Sequence, residues 1–480
     1  MAKSVRSLLL HGVAWNFIEK VLLHGVSFFI GIVLARLLNP SDYGLIGMLT
    51  IFLSISSVFI EGGFAKALIQ RKECKEIDFS TAFVSNIGMS FLIYIVLFFG
   101  APLIADFYHE PILTDLTRVL ALNIVLGSFN IVQRARLMSQ VDFKSLAQIN
   151  VISTVISGGV GIGMAYYGYG VWSLVGMAIS SSIVLIVVFP FYSKWKPSLS
   201  FSTASFRSLF GFGSKLMFTG VVGVIVNNIS ALCIGRYYKS DQLGYYTRAS
   251  HFSELISNTV YEVLGNVTFP VLSGLQDDRD HLVAVYRKSL FYTALIIFPL
   301  MVLCTLLAKS IVIVLLTEKW LSCVILMQWL FLTRMFTPIS AINMNVLNAI
   351  GRSDLFMKLD FAKIPLDIIV LVITIPISVK ALVIGSFINS FICFFINAYL
   401  PGRIFGYGCF RQLYDWRYIL LSIIIMASAV WFFLSIINNV WLQLIGGGLI
   451  GLLVYICCCF AFKIIDVDLL MMLKNTRKRI

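Results

Sequence analysis

Apolar residues run along the chain in fourteen long segments, and short polar stretches separate one segment from the next. An α-helix needs about 20 apolar residues to cross the hydrocarbon core of a bilayer, and each segment reaches that length. A strand of a transmembrane barrel has only about 10 residues and alternates in polarity, so a barrel does not fit. We therefore predict an all-α integral membrane protein with about 14 transmembrane helices, at residues 13–37, 44–69, 80–104, 116–138, 146–167, 169–191, 208–235, 246–272, 289–313, 321–349, 357–377, 380–401, 416–437 and 440–462.

The composition agrees with a chain that lies almost entirely in the membrane. Hydrophobic residues make up 59% of the 480 residues and charged residues 12%, whereas a soluble domain averages about 25% charged residues. The segments leave room only for connections and helix ends, so no soluble domain is expected. The net charge of +14 also occurs in nucleic-acid-binding proteins, but the sequence has no module in which basic and aromatic residues share a surface. We predict no nucleic-acid partner.

Lysine and arginine residues are sorted between the two ends of the spans. The N-terminus, the even-numbered loops and the C-terminal tail hold 25 of the 37 cations, and the odd-numbered loops hold 8. Cytoplasmic loops carry the Lys/Arg excess in membrane proteins. Both termini are therefore predicted to be cytoplasmic, with an even number of crossings.

A short motif recurs at the ends of spans 1 and 7. Arg36 and Gly44 are eight residues apart with a Ser-Asp pair between them, and Arg236 and Gly244 repeat this arrangement 200 residues later. Six spans separate the copies, so the two halves would share one orientation, as in transporters with parallel repeats. We predict an N-terminal lobe at 1–192, a cytoplasmic linker at 193–206, a C-terminal lobe at 207–402, and two further helices with a basic tail at 403–480.

Four cations lie inside the apolar spans, where an ionisable residue costs about 2.5–3.5 kcal/mol at the centre of a helix. They are Lys20, Lys66, Lys215 and Arg334. A cavity lined by such cations would suit an anionic group, especially phosphate. The three lysines have a second interpretation, because they lie near the predicted cytoplasmic ends of their spans and can extend to the interface. Arg334 lies nearer the middle of span 10, too deep for that.

Acidic residues in the spans are candidates for coupling transport to Na⁺ or H⁺. They are Glu19, Glu61 and Asp367. Glu61 has an alternative role as an ion-pair partner of Lys66 or of another helix. The sequence does not decide which ion, if any, is coupled, or whether the membrane potential drives transport.

Five prolines interrupt the apolar spans. Residues of this kind more often shape helices than bind substrate, although Pro-interrupted segments also occur in the moving elements of transporters. They are Pro270, Pro299, Pro338, Pro365 and Pro376.

Catalytic chemistry finds little support in the sequence. The five histidines are scattered over different segments, and we find no HExxH, P-loop, GxSxG or Cys/His metal spacing. The loops are too short for the kind of site that acts on a polar substrate beside a membrane. We predict no enzyme activity, no catalytic residue, no metal and no cofactor.

Several stretches of the chain together resemble the Wzx-type polysaccharide flippases, in particular their WzxC-like branch. The resemblance covers about the first 360 residues well and the rest loosely. Each stretch alone is weak, whereas the set is specific. The stretches are Trp15–Lys20, Leu34–Gly44, Gly63–Lys72, Phe107–Pro111, Asp142–Lys144, Gly168–Trp172, Leu243–Ala249, Phe269–Pro270 and Asn348–Arg352.

The resemblance implies a fold and a substrate. Members of the multidrug/oligosaccharidyl-lipid/polysaccharide exporter superfamily have two six-helix lobes that form a V around a cationic lumen and open alternately to either side. The implied substrate is an oligosaccharide linked through pyrophosphate to undecaprenol, moved across the bacterial inner (plasma) membrane for O-antigen, capsule or exopolysaccharide assembly. A polysaccharide polymerase and a chain-length regulator are candidate partners. In related lipid II flippases, charged residues of the first helix face the lumen, and Glu19 and Lys20 are the nearest counterparts here.

Three alternatives stay open. A multidrug exporter of the same superfamily would favour acidic lumen residues, which the surplus of cations disfavours. A lipid II-type flippase is close in mechanism, and the sequence motifs disfavour it. A membrane polysaccharide polymerase or acyltransferase is the enzyme alternative, which the absence of a large loop disfavours.

Overall fold

The computed structural model describes residues 23, 25–61, 64, 68, 74–140, 142–195 and 197–464, without the side chains of residues 61, 212, 215, 216 and 263–267. Within these ranges the chain forms helices and no strand. The helices are α1 (Gly25–Leu37), α2 (Pro40–Glu61), α3 (Glu76–Tyr108), α4 (Leu113–Ser139), α5 (Phe143–Tyr166), α6 (Trp172–Ser193), α7 (Thr203–Tyr237), α8 (Ser240–Gly274), α9 (Arg279–Leu315), α10 (Cys323–Arg334), α11 (Thr337–Ala349), α12 (Ser353–Thr374), α13 (Val379–Phe405), α14 (Cys409–Asp415), α15 (Arg417–Ile436) and α16 (Val440–Ala461).

The helices follow the predicted spans in order. Span 10 consists of α10 and α11 in succession, and α14 is a short additional helix before span 13. Within the described residues, eleven helices are long and apolar enough to cross a membrane, if α10 and α11 are taken as one. The predicted all-α membrane fold is confirmed.

Large apolar side chains cover the outer faces of many helices. Phe99 and Leu103 of α3 and Trp431 of α15 are mostly exposed. Only 17% of the most apolar 18-residue stretch of α16 is buried inside the protein. Helices that are apolar all round belong either in a large core or in lipid, so we assign these exposed faces to contact with the bilayer.

The chain divides into two compact units, residues 1–244 and residues 245–480. In the first unit α3 packs on α4, α6 packs on α4 and α5, and α7 packs on α2 and α3. Small polar residues join the helices: Ser90 donates to Ser128 at 3.1 Å, and Ser182 donates to Asn123 at 2.5 Å. Such residues let helices approach closely and form hydrogen bonds where no water competes.

The second unit is organised around α9 and α13. The helix α9 packs against α10, α11, α15 and α16, and α13 packs against α10, α11 and α12. Trp416, between α14 and α15, is fully buried and contacts the rings of Phe298 on α9 and Phe394 on α13. Both halves of span 10 therefore lie between two well-packed helices.

The repeated motif has the same local structure in its two copies. The helix α1 ends at Leu37 and α2 begins at Pro40, and 200 residues later α7 ends at Tyr237 and α8 begins at Ser240. The amide that follows each helix end donates to the carbonyl four residues earlier, at 2.8 Å in the first copy and 2.9 Å in the second. The two copies of the motif therefore share their backbone structure as well as their sequence pattern.

The two copies also contact each other through their glycines, within the first unit. A Cβ atom added at Gly44 would lie 1.7 Å from the carbonyl oxygen of Ser240, and one added at Gly244 would lie 1.8 Å from that of Pro40. Only residues without a Cβ permit this approach of two backbones. The first turns of α2 and α8 therefore cross in a reciprocal backbone contact, which the repeat by itself did not reveal.

The linker that was predicted at 193–206 is held against the first unit. Trp195 is buried, and its Nε1 donates to a carboxylate oxygen of Glu76 at 2.8 Å. The backbone amide of Ser202 donates to the hydroxyl of Thr81 at 3.0 Å. The helix α7 then packs on α2 and α3, so the first compact unit extends to Gly244. The predicted boundary between the lobes lies earlier, because it was placed between the two copies of the repeat. The lobe boundary at 193–206 stays a prediction.

Candidate functional site

Polar residues gather at one place in the second unit. The helices α8 and α12 fall outside the eleven that are apolar enough to span a membrane. Glu254 and Ser257 lie on α8, and Asp360, Lys363 and Asp367 lie on α12. Ionisable groups at this depth are expected to find partners inside the protein or to line a polar space. Glu254, Ser257 and Asp367 make contacts around the break between α10 and α11.

Span 10 is interrupted where Pro338 enters the first turn of α11. Proline has no N–H, so the carbonyl of Arg334, four residues earlier, loses its usual helical partner. Ser257 of α8 donates its hydroxyl to that carbonyl at 3.0 Å, and Ser390 of α13 donates to the neighbouring carbonyl of Thr333 at 3.0 Å. Irregular backbone at membrane depth is tolerated only where other groups satisfy it. The two serines therefore stabilise the break.

Arg334 is the last residue of α10, directly before the break. Its Nη2 donates to Oε1 of Glu254 on α8, and the two side chains are 34% and 41% exposed. Its Nε is buried and has no hydrogen-bond partner within the described part of the chain. A guanidinium has five N–H donors in a planar fork. The ion pair is thus accessible, whereas the unpartnered Nε donor itself is buried.

Asp367 of α12 lies beside the turn of α13 that contains Ser390. Its Oδ1 accepts a hydrogen bond from Nδ2 of Asn389. Asn389 directly precedes Ser390, which binds the carbonyl of Thr333. One turn of α13 therefore connects Asp367 on α12 to the broken end of α10, where Arg334 lies.

Aromatic rings pack on the other side of the break. Phe336, between the two half-helices, is buried. Its ring centroid lies 5.9 Å from that of Phe298, 5.6 Å from that of Phe391 and 5.8 Å from that of Phe394. These rings leave little room for water at the break, so the polar side of the site is the one that carries Arg334 and Glu254.

The helix α11, which is the second half of span 10, is held in place by a buried polar network. Asn343 of α11 accepts from the hydroxyl of Tyr286 on α9 and from Nε2 of Gln412 on α14, the latter at 3.0 Å. All three side chains are fully buried. A fully satisfied network of this kind fixes a single packing arrangement, so α11 is held at one end while its other end borders the break.

The structure locates some of the predicted site residues and not others. Arg334 and Asp367 are brought to the same turn of α13. Lys215 belongs to α7 and Glu61 is the last residue of α2, but their side chains are outside what the structure describes. Three more candidates lie outside the described residues altogether: Glu19, Lys20 and Lys66.

Sequence reasoning missed the partners in this site. Glu254, Ser257, Asn389 and Ser390 were not among the predicted site residues. The one available signal was the presence of both an acid and a base in apolar spans, since such residues tend to pair with each other. The proline at 338 marked the position of the break.

Comparison with known proteins gives a family match. The protein family described as "Polysaccharide biosynthesis protein" matches residues 33–325 of the chain. The chain is 23% identical over 363 residues to the lipopolysaccharide biosynthesis protein WzxC of Escherichia coli K12, which covers 75% of this chain and 74% of that protein. It is 27% identical over 305 residues to the teichuronic acid biosynthesis protein TuaB of Bacillus subtilis 168, which covers 62% of each chain.

Two solved structures show the same fold. The lipid II flippase MurJ in an inward closed conformation matches with a TM-score of 0.76 and 18% identity, over 93% of this chain and 98% of that one. An inward-facing multidrug resistance transporter of the MATE family matches with a TM-score of 0.56 and 14% identity, over 80% of this chain and 93% of that one. At these identities the likeness concerns the fold alone.

Proposed function

Because the chain belongs to the polysaccharide biosynthesis protein family, we propose that it is a flippase for lipid-linked oligosaccharides. The substrate is an oligosaccharide joined through pyrophosphate to undecaprenol, and the protein carries it from the cytoplasmic to the outer leaflet for surface polysaccharide assembly. The fold shared with a lipid II flippase supports this proposal. The observation that carries it is the accessible Arg334–Glu254 pair at a broken span.

In the proposed mechanism, Arg334 binds the pyrophosphate. A guanidinium forms paired hydrogen bonds to phosphate oxygens more readily than an ammonium does. Phosphate competes with the carboxylate of Glu254 for the same donors, so the arginine exchanges one acceptor for another. The sugar lies in the polar space and the undecaprenyl chain stays in lipid while the protein opens alternately to the two sides.

Three further cations line the proposed lumen. Lys20, Lys66 and Lys215 are the additional phosphate ligands of this proposal. With several cations along the lumen, the pyrophosphate can move from one cation to the next during transport.

Ion coupling is assigned in the proposal to three acidic residues. Asp367 is the one whose surroundings are described, and its bond to Asn389 places it beside the break. Glu19 and Glu61 are the other two. A carboxylate at this depth can take up Na⁺ or H⁺ as its environment changes during transport.

The membrane potential would assist export of an anion from a cell whose interior is negative. Each elementary charge that crosses 100 mV contributes about 2.3 kcal/mol. A substrate with two charges would therefore gain about 4–5 kcal/mol, less any charge that the protein carries back.

The proposed location is the bacterial inner membrane with both termini in the cytoplasm. The charge distribution supports this orientation. A polysaccharide polymerase and a chain-length regulator are the proposed partners on the far side, since the delivered units must be joined there.

The first test replaces the ion pair one partner at a time. Each variant complements a strain that lacks its own flippase, and surface polysaccharide and membrane protein level are measured together. Arg334→Ala should lower polysaccharide about ten- to a hundredfold, the effect of losing a charge-assisted hydrogen bond. Arg334→Lys should restore part of it, because the charge survives and the fork does not. Glu254→Gln should lower export less than Arg334→Ala, because the guanidinium remains but releases phosphate more slowly without its counter-charge.

A double variant separates phosphate binding from a purely structural role. Removing one partner leaves the other without a counter-charge, which by itself destabilises the protein. Arg334→Met combined with Glu254→Gln removes both charges at similar volume, and should reach the membrane at the normal level and still fail to export. Full export by this double variant would exclude Arg334 from the site. If Lys20→Ala, Lys66→Ala, Lys215→Ala and Arg334→Ala all complement fully, the cationic-lumen mechanism is wrong.

A further inference from the structure

An open cleft of about 560 Å³ lies at the beginning of α9, and none of its lining residues belongs to the broken span. One face of α9 lines it, with Asp280, Arg287, Lys288, Phe291 and Tyr292, and Asp415 at the end of α14 closes one side. The volume is within the range of about 300–1,000 Å³ that small-molecule sites occupy. All of these residues belong to the second unit.

The cleft lies where α9 leaves the bilayer. With 37 residues, α9 is about 55 Å long, much longer than the hydrocarbon core of about 30 Å. Its first ten residues, before the predicted span, carry most of its charged groups. The charged part of the cleft therefore lies among lipid headgroups, and Phe291 and Tyr292 lie deeper, where aromatic rings meet the edge of the hydrocarbon.

Two of the four charges in the cleft already satisfy each other. Arg287 donates from Nε and Nη2 to the two carboxylate oxygens of Asp415, at 2.6 and 2.7 Å. The hydroxyl of Tyr407 donates to the same carboxylate at 2.7 Å. Asp415 is thus neutralised and held in place. Arg287 has used two of its five N–H donors, so it can still donate to a ligand.

The other two charges are opposite in sign and remain apart. No ion pair joins Asp280 or Lys288 to another group within the part of the chain that the structure describes. Their positions differ by eight residues, which is a rise of about 12 Å along the helix. Helical side chains lean toward the N-terminus, and a long lysine extends out toward water. Both side chains line the same cleft, so one ligand in the cleft can contact both charges.

We propose that this cleft binds the headgroup of a phosphatidylethanolamine molecule from the bilayer. Along α9, from the water inward, the cleft presents a carboxylate, then cations, then aromatic rings. An ethanolamine phospholipid presents an ammonium, then a phosphate, then a glycerol with acyl chains, in the same direction. Asp280 binds the ammonium, Lys288 and the free donors of Arg287 bind the phosphate, and Phe291 and Tyr292 contact the glycerol and the first acyl carbons.

Charge complementarity selects this lipid over an anionic one. Once Arg287 and Asp415 are paired, Lys288 and Asp280 leave the cleft with no net charge. A phosphatidylglycerol headgroup would bring its negative charge to Lys288, but it has no cation for Asp280 and would leave that carboxylate without a partner. The site therefore distinguishes two lipids that share a phosphate by the group at the far end of the headgroup.

The experiment measures binding of defined lipids to the purified full-length protein in detergent. Dioleoyl-phosphatidylethanolamine and dioleoyl-phosphatidylglycerol are titrated separately, and the bound lipid is counted by native mass spectrometry. The ethanolamine lipid should bind the unaltered protein about five- to tenfold more tightly, as expected for one additional charge-assisted hydrogen bond. Lys288→Gln should weaken both lipids. Asp280→Asn should weaken only the ethanolamine lipid, and Asp280→Lys should reverse the preference.

Matched controls lie on the same helix and just before it. Asp277→Asn changes an exposed acid that does not line the cleft, and Lys309→Gln changes an exposed cation at the opposite end of α9. Neither should alter either titration. Tighter binding of the glycerol lipid to the unaltered protein would overturn the proposal, as would an unchanged lipid preference in Asp280→Asn. Export by Arg334 variants is measured separately, so failure here leaves the proposed transport function untouched.

Discussion

At the residue scale, Arg334 is defined by its partner as much as by its depth. The sequence suggested a lone cation, whereas the structure pairs it with Glu254. Without substrate the pair carries no net charge, and in the proposed mechanism a phosphate displaces the carboxylate in order to bind. This exchange weakens binding, which suits a transporter, because a site that moves its ligand must also release it. An unpaired arginine would hold pyrophosphate more tightly and release it more slowly.

Asp367 gives a second prediction at the scale of one residue. Its carboxylate accepts from Asn389 beside the break, so Asp367→Asn should remove the proposed coupling site while keeping the side chain's shape. We expect surface polysaccharide to fall by about tenfold or more, since 1.4 kcal/mol in a barrier is a tenfold change in rate. Asp360→Asn is the matched control on the same helix, because Asp360 forms its ion pair with Lys363 of α12 itself, at 2.6 Å. Equal export by the two variants would remove Asp367 from the mechanism.

At the scale of helices, the beginnings of α2 and α8 form a contact that only glycine permits. Each glycine faces a backbone carbonyl of the other helix, at positions 200 residues apart in the chain. The two copies of the repeated motif thus supply both sides of one contact within the first unit.

Alanine at either position tests that contact. Gly44→Ala and Gly244→Ala each place a Cβ within 2 Å of a backbone oxygen, so the helices must move apart. Overpacking of this kind destabilises by about 1–3 kcal/mol, and we expect a lower melting temperature and reduced export. Gly223→Ala in α7 is the control, because nothing lies within 4 Å of an added Cβ there. If all three variants melt and export alike, the close contact does not exist in the membrane.

At the scale of the whole molecule, the order of the predicted spans is confirmed, and the orientation in the membrane stays a prediction. The predicted spans recur as helices in the same order, and the connection between α3 and α4 belongs to the cation-poor set of loops. The family suggested by the motifs is confirmed by the match over residues 33–325. The side of the membrane on which each loop lies rests on the 25-to-8 division of cations.

Reporter fusions test this orientation. A reporter fused after Ile480 should be cytoplasmic, and one inserted between Tyr108 and Leu113, where α3 ends and α4 begins, should lie on the far side. The physical reason is that Lys- and Arg-rich segments are retained in the cytoplasm during insertion. Each position is fused separately to alkaline phosphatase, which is active only outside the cytoplasm, and to a fluorescent protein that folds only inside it. The same reading at both positions would show that the predicted topology is wrong.

The sequence alone determined the features that depend on local pattern. Each span is a continuous apolar run, so its existence follows from about 20 neighbouring residues and needs no knowledge of other helices. The repeat at Gly44 and Gly244 and the break at Pro338 are equally local, because a missing Cβ or a missing N–H acts within one turn. The motifs also identified the family, since they are read directly from the order of residues.

Only the tertiary structure decided which groups meet. Arg334 and Glu254 are 80 residues apart, and Ser257 lies 77 residues from the carbonyl that it satisfies. An apolar run specifies that a helix crosses the membrane, but its rotation and neighbours depend on packing and hydrogen bonds between helices. Arg334 therefore changed from a lone cation to the ion-pair partner of Glu254, and Arg287 was paired with Asp415, only when the helices were packed.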